Sequence, residues 1–131
     1  MRHTLLCAVA VLGLCPCAWP ASIFITRLDD PKAVYLTAQA DGQGDDSAAI
    51  QAAIDKSENH REGIVFIPSG RYRITRTLYV WPGVRIFGYG PTRPVFVLGD
   101  NTPGFQQGMG VMVIFTGFRH APGRVPFPPP G

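Results

Sequence analysis

The stretch Asp41–Ile54, DGQGDDSAAIQAAI, decides how this chain is read. Two glycines set among aspartates mark Asp41–Gly44 as a tight turn, because glycine supplies positive φ and Asp41 can bond the backbone just ahead of it. Asp45, Asp46 and Ser47 each carry a side-chain oxygen able to accept a hydrogen bond from a first-turn N–H, and negative charge there suits the positive end of the helix dipole. Ala49, Ile50, Ala53 and Ile54 then recur at helical spacing as one apolar stripe, with Gln51, Asp55 and Lys56 expected to face away from it. The pattern fades between Ser57 and Glu62. A helix of about three turns is marginal in isolation, so its stripe must lie on something. It is expected to act as a lid.

What the lid would cover follows at once. Gly63–Ile67, GIVFI, is a continuous apolar run, as expected of a strand buried on both faces. Pro68-Ser69-Gly70 turns the chain. In Arg71–Ile74, RYRI, alternation begins, with Tyr72 and Ile74 inward and Arg71 and Arg73 outward. Leu78–Val80 repeats it. Trp81-Pro82-Gly83 places Pro-Gly at the centre of a type II turn. Val84–Gly88 is the next strand, with Arg85 outward; Val95–Leu98 and Val111–Phe115 follow, and Val34–Leu36 is a short strand ahead of the helix. Ser22–Lys32 carries no clear pattern. Short strands closed by Gly or Pro fit either a β-sandwich or a parallel solenoid. The two-residue Asn-Gly or Asp-Gly connections favoured by hairpins do not occur between these strands. A solenoid, in which each strand stacks on its counterpart one coil later, needs short strands, corner residues and inward aliphatics.

Asp41–Asp55, Gly63–Ile74 and Leu78–Gly90, taken in order and spacing, resemble the opening of proteins of the pectate-lyase superfamily. The nearest type is the rhamnogalacturonase/epimerase-like domain, also seen at the front of some exo-glucanases. The likeness covers about fifty residues. It implies an all-β fold: the start of a right-handed parallel β-helix whose N-terminal α-helix caps the first coil. It also implies a secreted carbohydrate-active protein, of the polysaccharide lyase or glycoside hydrolase type. The alternative is a non-catalytic β-helix used for glycan binding or surface adhesion, and a third reading is an inert fragment. The motifs by which relatives hydrolyse glycosides with aspartate pairs, or hold calcium and abstract a proton, have no matching positions here. No catalytic residue is therefore assigned.

Upstream, Met1-Arg2-His3 is basic, Leu5–Leu14 is apolar, and small residues follow near Cys15–Ala21. This is the order of a secretory signal peptide, with an apolar core far shorter than the ~20 residues of a membrane span. Residues 1–21 are assigned to it, 34–118 to β-helix coils and 119–131 to a proline-rich disordered tail. Cys7, Cys15 and Cys17 all lie in the leader, so a mature chain would hold no disulfide or cysteine-based zinc site. The formal charge is +3, with ten of twelve basic residues arginine and interleaved with acids. No basic run points to nucleic acid.

The candidate substrate-binding residues are Arg71, Arg73 and Arg85. If they project outward from neighbouring strands, stacked guanidinium groups can grip uronate carboxylates in paired hydrogen bonds, and the expected partner is a polysaccharide, acidic or not. The plainer reading is a solvated face that keeps sheet edges apart. Tyr79 and Trp81 are rings that can stack on sugars or simply pack. Asp41, Asp45 and Asp46 are read as turn and helix cap rather than as a calcium site or carboxylate pair, since no closing glutamate follows. Gly88-Tyr89-Gly90 is read as a turn, and His60 and His120 stand without metal-ligand spacing. No metal or other cofactor is expected. The proline-dominated Ala121–Gly131 cannot continue a sheet, and the chain is expected to be the N-terminal piece of a longer protein.

Overall fold

The computed structural model describes residues 21–58 and 63–117. The proposed leader with its three cysteines, His60, His120 and the proline-rich tail lie outside the described residues, apart from Ala21 at the leader's end.

The described residues form eight short strands and one helix: β1 (Ala33–Tyr35), β2 (Asp41–Asp45), α1 (Ser47–Glu58), β3 (Ile64–Pro68), β4 (Arg71–Ile74), β5 (Leu78–Val80), β6 (Arg85–Tyr89), β7 (Val95–Leu98) and β8 (Val113–Phe115). They make three sheets, ordered β1-β3-β6, β2-β4-β7 and β5-β8. Every pairing between these strands is parallel. The chain passes from the first sheet to the second, through α1 back to the first, and then visits the first, second and third sheets in turn from β3 to β5 and again from β6 to β8. Strands neighbouring in sequence therefore never pair, as hairpins would require.

Register explains the core. Val34, Val65 and Ile86 stand side by side across the first sheet, Tyr72 beside Phe96 and Ile74 beside Leu98 across the second, and Leu78 beside Val113 in the third. Val65, Ile67, Tyr72, Ile74, Leu78 and Val80 are all fully buried in one cluster with Ile50 and Ile54 of α1. The inward positions on the far side of the stack fare differently. Leu98 is 37% exposed and Phe115 74%. β7 and β8 are edge strands, and among the described residues no further strand covers them.

α1 packs against β1, β3, β4 and β5. Ile50, Ala53 and Ile54 are buried as its periodicity requires, and Ser57 is buried with its hydroxyl donating to the Ile54 carbonyl at 2.8 Å. Gln51 and Asp55 do not face away. The Gln51 amide bonds the backbone of Tyr79, and Asp55 accepts the indole N–H of Trp81 at 2.6 Å. Gln51 reaches the edge of β5 that β8 leaves open, and Asp55 reaches the Trp81 side chain just past the strand.

Three other expectations are corrected. Asp41–Gly44 is not a free turn but part of β2, where Asp41 pairs with Arg71 and Asp45 with Arg73, so extra residues bulge out of the ladder. Gly42 takes φ 78° within that bulge, and Asp41 Oδ1 does accept the N–H groups of Gln43 and Gly44 at 2.8 and 3.2 Å. Gly88 and Tyr89 end β6 rather than forming a turn; only Gly90, at φ 112°, leaves the strand. Finally, the patternless segment after residue 21 is a strap. Tyr35, Phe66 and Phe87 share one register across the first sheet and stack outward at 5.4 and 5.8 Å. Phe24 meets Phe87 edge-on at 6.0 Å, the Arg27 guanidinium lies 4.4 Å from the Tyr35 ring centre, and the Tyr35 hydroxyl donates to the Leu28 carbonyl. The strap is held by single anchors at irregular spacing, so no periodic signal marks it.

The expected Pro-Gly turn is present: the Val84 N–H bonds the Trp81 carbonyl at 3.1 Å, with Gly83 at φ 81°.

Candidate functional site

β4 alternates as its sequence dictates: Tyr72 and Ile74 are buried, Arg71 is exposed and Arg73 half-buried. Both arginines stand on the outer face of the second sheet. Asp41 and Asp45 of β2 flank them on one side and Val95 and Val97 of β7 on the other. Two glycines keep this face shallow. A Cβ on Gly42 would sit 3.3 Å from the Arg71 Cβ, and one on Gly99 would meet the Arg73 guanidinium at 3.0 Å. The Arg73 side chain thus lies over Gly99 at the end of β7. Arg85 is exposed on β6, in the first sheet, paired with Ile64. The structure brings Arg71 and Arg73 together and leaves Arg85 apart from them.

The three aspartates are occupied by the backbone around them. Asp45 Oδ1 accepts from the Ser47 N–H at 3.0 Å and the Ser47 hydroxyl at 2.6 Å, while Oδ2 accepts from the Thr75 hydroxyl at 2.7 Å. Partial burial would raise this carboxyl, but those bonds and the nearby charge of Arg76 outweigh it and hold it below the ordinary aspartate range. Backbone N–H bonds from Gln43 and Gly44 likewise lower Asp41. Asp46 is buried. Its carboxylate accepts the Arg73 N–H at 3.2 Å and its own N–H donates to the Arg73 carbonyl at 2.9 Å. The Ser47 hydroxyl also accepts the Thr75 N–H at 2.9 Å. The start of α1 is therefore tied to the corner between β4 and β5, a use of these residues that helix capping alone does not predict. Among the described residues, no group of three or more His, Cys, Asp or Glu side chains is placed to hold a metal ion.

A second surface lies on the third sheet. Leu78 and Val80 point inward, so Tyr79 falls on the opposite face; Trp81 follows just past β5, packed in part against the core, and each ring is partly exposed. Their ring planes lie within 15° and their centres are 6.2 Å apart. That spacing is too wide for face-on contact, so the rings are offset sideways. The sequence singled out both rings but not the Gln51 and Asp55 contacts that position them. The signal available was their four-residue separation along one border of the helix stripe.

Among the described residues, no helix is long and apolar enough to cross a membrane.

The family model for rhamnogalacturonase A/epimerase, pectate lyase-like proteins matches residues 33–114. Alginate lyase 7 of Azotobacter vinelandii is 39% identical over 71 residues, covering 49% of this chain and 8% of that protein. A glucan 1,3-beta-glucosidase of Cochliobolus carbonum is 39% identical over 51 residues, covering 39% of this chain and 6% of its own. Mannuronan C5-epimerase AlgE3 of Azotobacter vinelandii is 37% identical over 79 residues, covering 55% of this chain and 4% of its own. The chain thus spans less than a tenth of each of these relatives. No solved structure matches it.

Proposed function

Because the chain belongs to the rhamnogalacturonase A/epimerase, pectate lyase-like family, we propose that it forms the first coils of a right-handed parallel β-helix in a secreted carbohydrate-active protein of the lyase or hydrolase type. In this reading α1 closes one end of the stack. The parallel order of the three sheets and the burial of Ile50 and Ile54 against β1, β3, β4 and β5 support it. The role assigned to the described residues is to hold polysaccharide.

One observation carries the binding role: Arg71 and Arg73 stand on one outward face, with the Arg73 backbone clamped by Asp46 and the Arg71 N–H bonded to the Ala40 carbonyl. Two of the matched relatives are named for alginate and mannuronan, both polymers of uronate. Guanidinium groups bind carboxylates through paired, charge-assisted hydrogen bonds. An acidic polysaccharide laid along the second sheet would meet Arg71 and Arg73, while Arg85 would meet only a chain that reached the first sheet.

Affinity electrophoresis through alginate tests this directly. The wild-type chain is expected to be retarded, and less so as salt rises. Arg71→Gln combined with Arg73→Gln should migrate as it does in a gel without alginate. Equal retardation of wild type and double variant would remove the arginine face from the proposal.

A second reading, a non-catalytic β-helix for glycan binding or adhesion, is favoured by one observation. Asp41, Asp45 and Asp46 are all engaged by backbone or hydroxyl donors, which leaves that cluster poorly suited to act as an acid–base pair. Retention of alginate by the whole protein without release of shortened or unsaturated products would favour this second reading.

A further inference from the structure

We propose that Tyr79 and Trp81, with Asp55 beside them, form a sugar-stacking subsite that takes the apolar face of an uncharged pyranose ring. This rests on the polysaccharide reading but uses a different sheet and different chemistry from Arg71 and Arg73.

The first argument is orientation. Strand alternation buries Leu78 and Val80 and turns Tyr79 outward; Trp81, just past β5, rests partly against the core with its ring nearly parallel to that of Tyr79, and both rings remain partly exposed. A pyranose has one face of C–H groups, which an aromatic face attracts through its negative quadrupole while water is excluded. Two offset, near-parallel rings offer a longer surface than one.

The second argument is rigidity. Gln51 holds the backbone of Tyr79 from both sides, with Nε2 to the carbonyl at 3.0 Å and Oε1 to the N–H at 2.9 Å. Asp55 Oδ1 accepts the Trp81 indole N–H at 2.6 Å and the Gln51 Nε2 at 3.0 Å. A surface already fixed loses little conformational freedom when a ligand arrives.

The third argument is the polar rim. Asp55 is exposed, and both of its side-chain bonds land on Oδ1. Oδ2 is left to accept a sugar hydroxyl. Thr116, one residue past the end of β8, donates its hydroxyl to the Val80 carbonyl at 3.2 Å, and the hydroxyl oxygen can still accept from a sugar. A carboxylate at this position repels a phosphate backbone, so the platform suits a saccharide better than a stacked nucleic-acid base.

Calorimetric titration of the full 131-residue chain with a neutral β-1,3-gluco-oligosaccharide and with a mannuronate oligosaccharide tests the subsite. Tyr79→Ala is expected to lower affinity for the neutral ligand about tenfold, and Tyr79→Phe, which keeps the ring, to retain it. The Arg71→Gln/Arg73→Gln variant should lose only the mannuronate ligand. Amide NMR spectra establish that Tyr79→Ala keeps the fold. Trp81→Phe, which preserves a ring at the second position, supplies an independent reading with a smaller loss. Unchanged affinity of folded Tyr79→Ala and of Trp81→Phe for the neutral ligand would overturn the subsite, while leaving the arginine face standing if the double arginine variant still loses mannuronate. A wild-type chain that binds neither oligosaccharide would overturn both proposals.

Discussion

The side-chain amide of Gln51 pairs with the backbone of Tyr79 as a neighbouring strand would, donating to its carbonyl at 3.0 Å and accepting its N–H at 2.9 Å. β5 is bonded to β8 along its other edge. A helix side chain therefore satisfies the edge of a sheet that no strand covers at that point, and an uncovered edge is otherwise a template for unwanted pairing.

Gln51→Ala is expected to lower stability by about 1–3 kcal/mol, because it leaves both backbone groups of Tyr79 without a partner in a partly buried setting. Chemical denaturation should show the shift in midpoint. Hydrogen exchange at the Tyr79 amide should accelerate more than at Tyr72, whose amide belongs to another sheet.

Gly90→Ala should destabilise by about 1–3 kcal/mol through its backbone alone. Gly90 holds φ 112°, and an added Cβ would press into the Ser69 hydroxyl and lie 3.0 Å from the Ser69 Cβ. That hydroxyl ties two successive corners, bonding the Tyr89 carbonyl at 3.2 Å, the Thr92 carbonyl, and the Thr92 N–H at 3.1 Å. Gly83→Ala is the control: Gly83 has φ 81°, but nothing lies within 4 Å of an added Cβ. Thermal melts should fall further for Gly90→Ala than for Gly83→Ala.

Acid should loosen the start of α1 first. Asp45 is held below the ordinary aspartate range in the folded state: partial burial opposes this, and the Ser47 and Thr75 bonds with Arg76 overcome it. A carboxyl lowered on folding adds stability that is complete above its unfolded value and disappears as pH falls through its folded value. Asp45→Ala is expected to be less stable than wild type at neutral pH and to converge with it as pH falls below the ordinary aspartate value of 3.8 and through the lower folded one. Parallel denaturation curves across that range would refute the assignment.

At the alkaline end the sign reverses. The Tyr72 phenol is pushed up to about 12, by burial first and then by the charges of Asp46 and Tyr89. Its hydroxyl donates to the Pro68 carbonyl at 2.8 Å. A group raised on folding contributes stability that is complete below its unfolded value, near 10, and is lost as pH climbs through its folded one. Tyr72→Phe should cost about 1 kcal/mol at pH 7 and flatten this alkaline decline, as read from stability measured between pH 9 and 12.

Much of the strand pattern was legible because burial imposes it locally. Gly63–Ile67 reads as one apolar run, and Val65, Phe66 and Ile67 are all buried. Arg71–Ile74 alternates in sequence and in exposure alike. The strap was not legible. Phe24, Arg27 and Leu28 each touch the outer aromatic row once, at irregular spacing, and a periodicity argument cannot detect anchors that share no period. The candidate site was half legible: alternation exposed Arg71 and Arg73 but said nothing of which sheet would receive Arg85.

Spacing and residue type alone determined the helix, its buried stripe, the inward rows of β4 and β5 and the turn at Pro82-Gly83, since each follows from backbone geometry over a few residues. Only the tertiary structure decided that Gln51 and Asp55 serve β5, that Asp46 clamps Arg73 rather than capping its own helix, and that Asp41–Asp45 pairs as a bulged strand. These depend on which backbone edges meet after distant segments pack, and adjacency of that kind leaves no period in the chain.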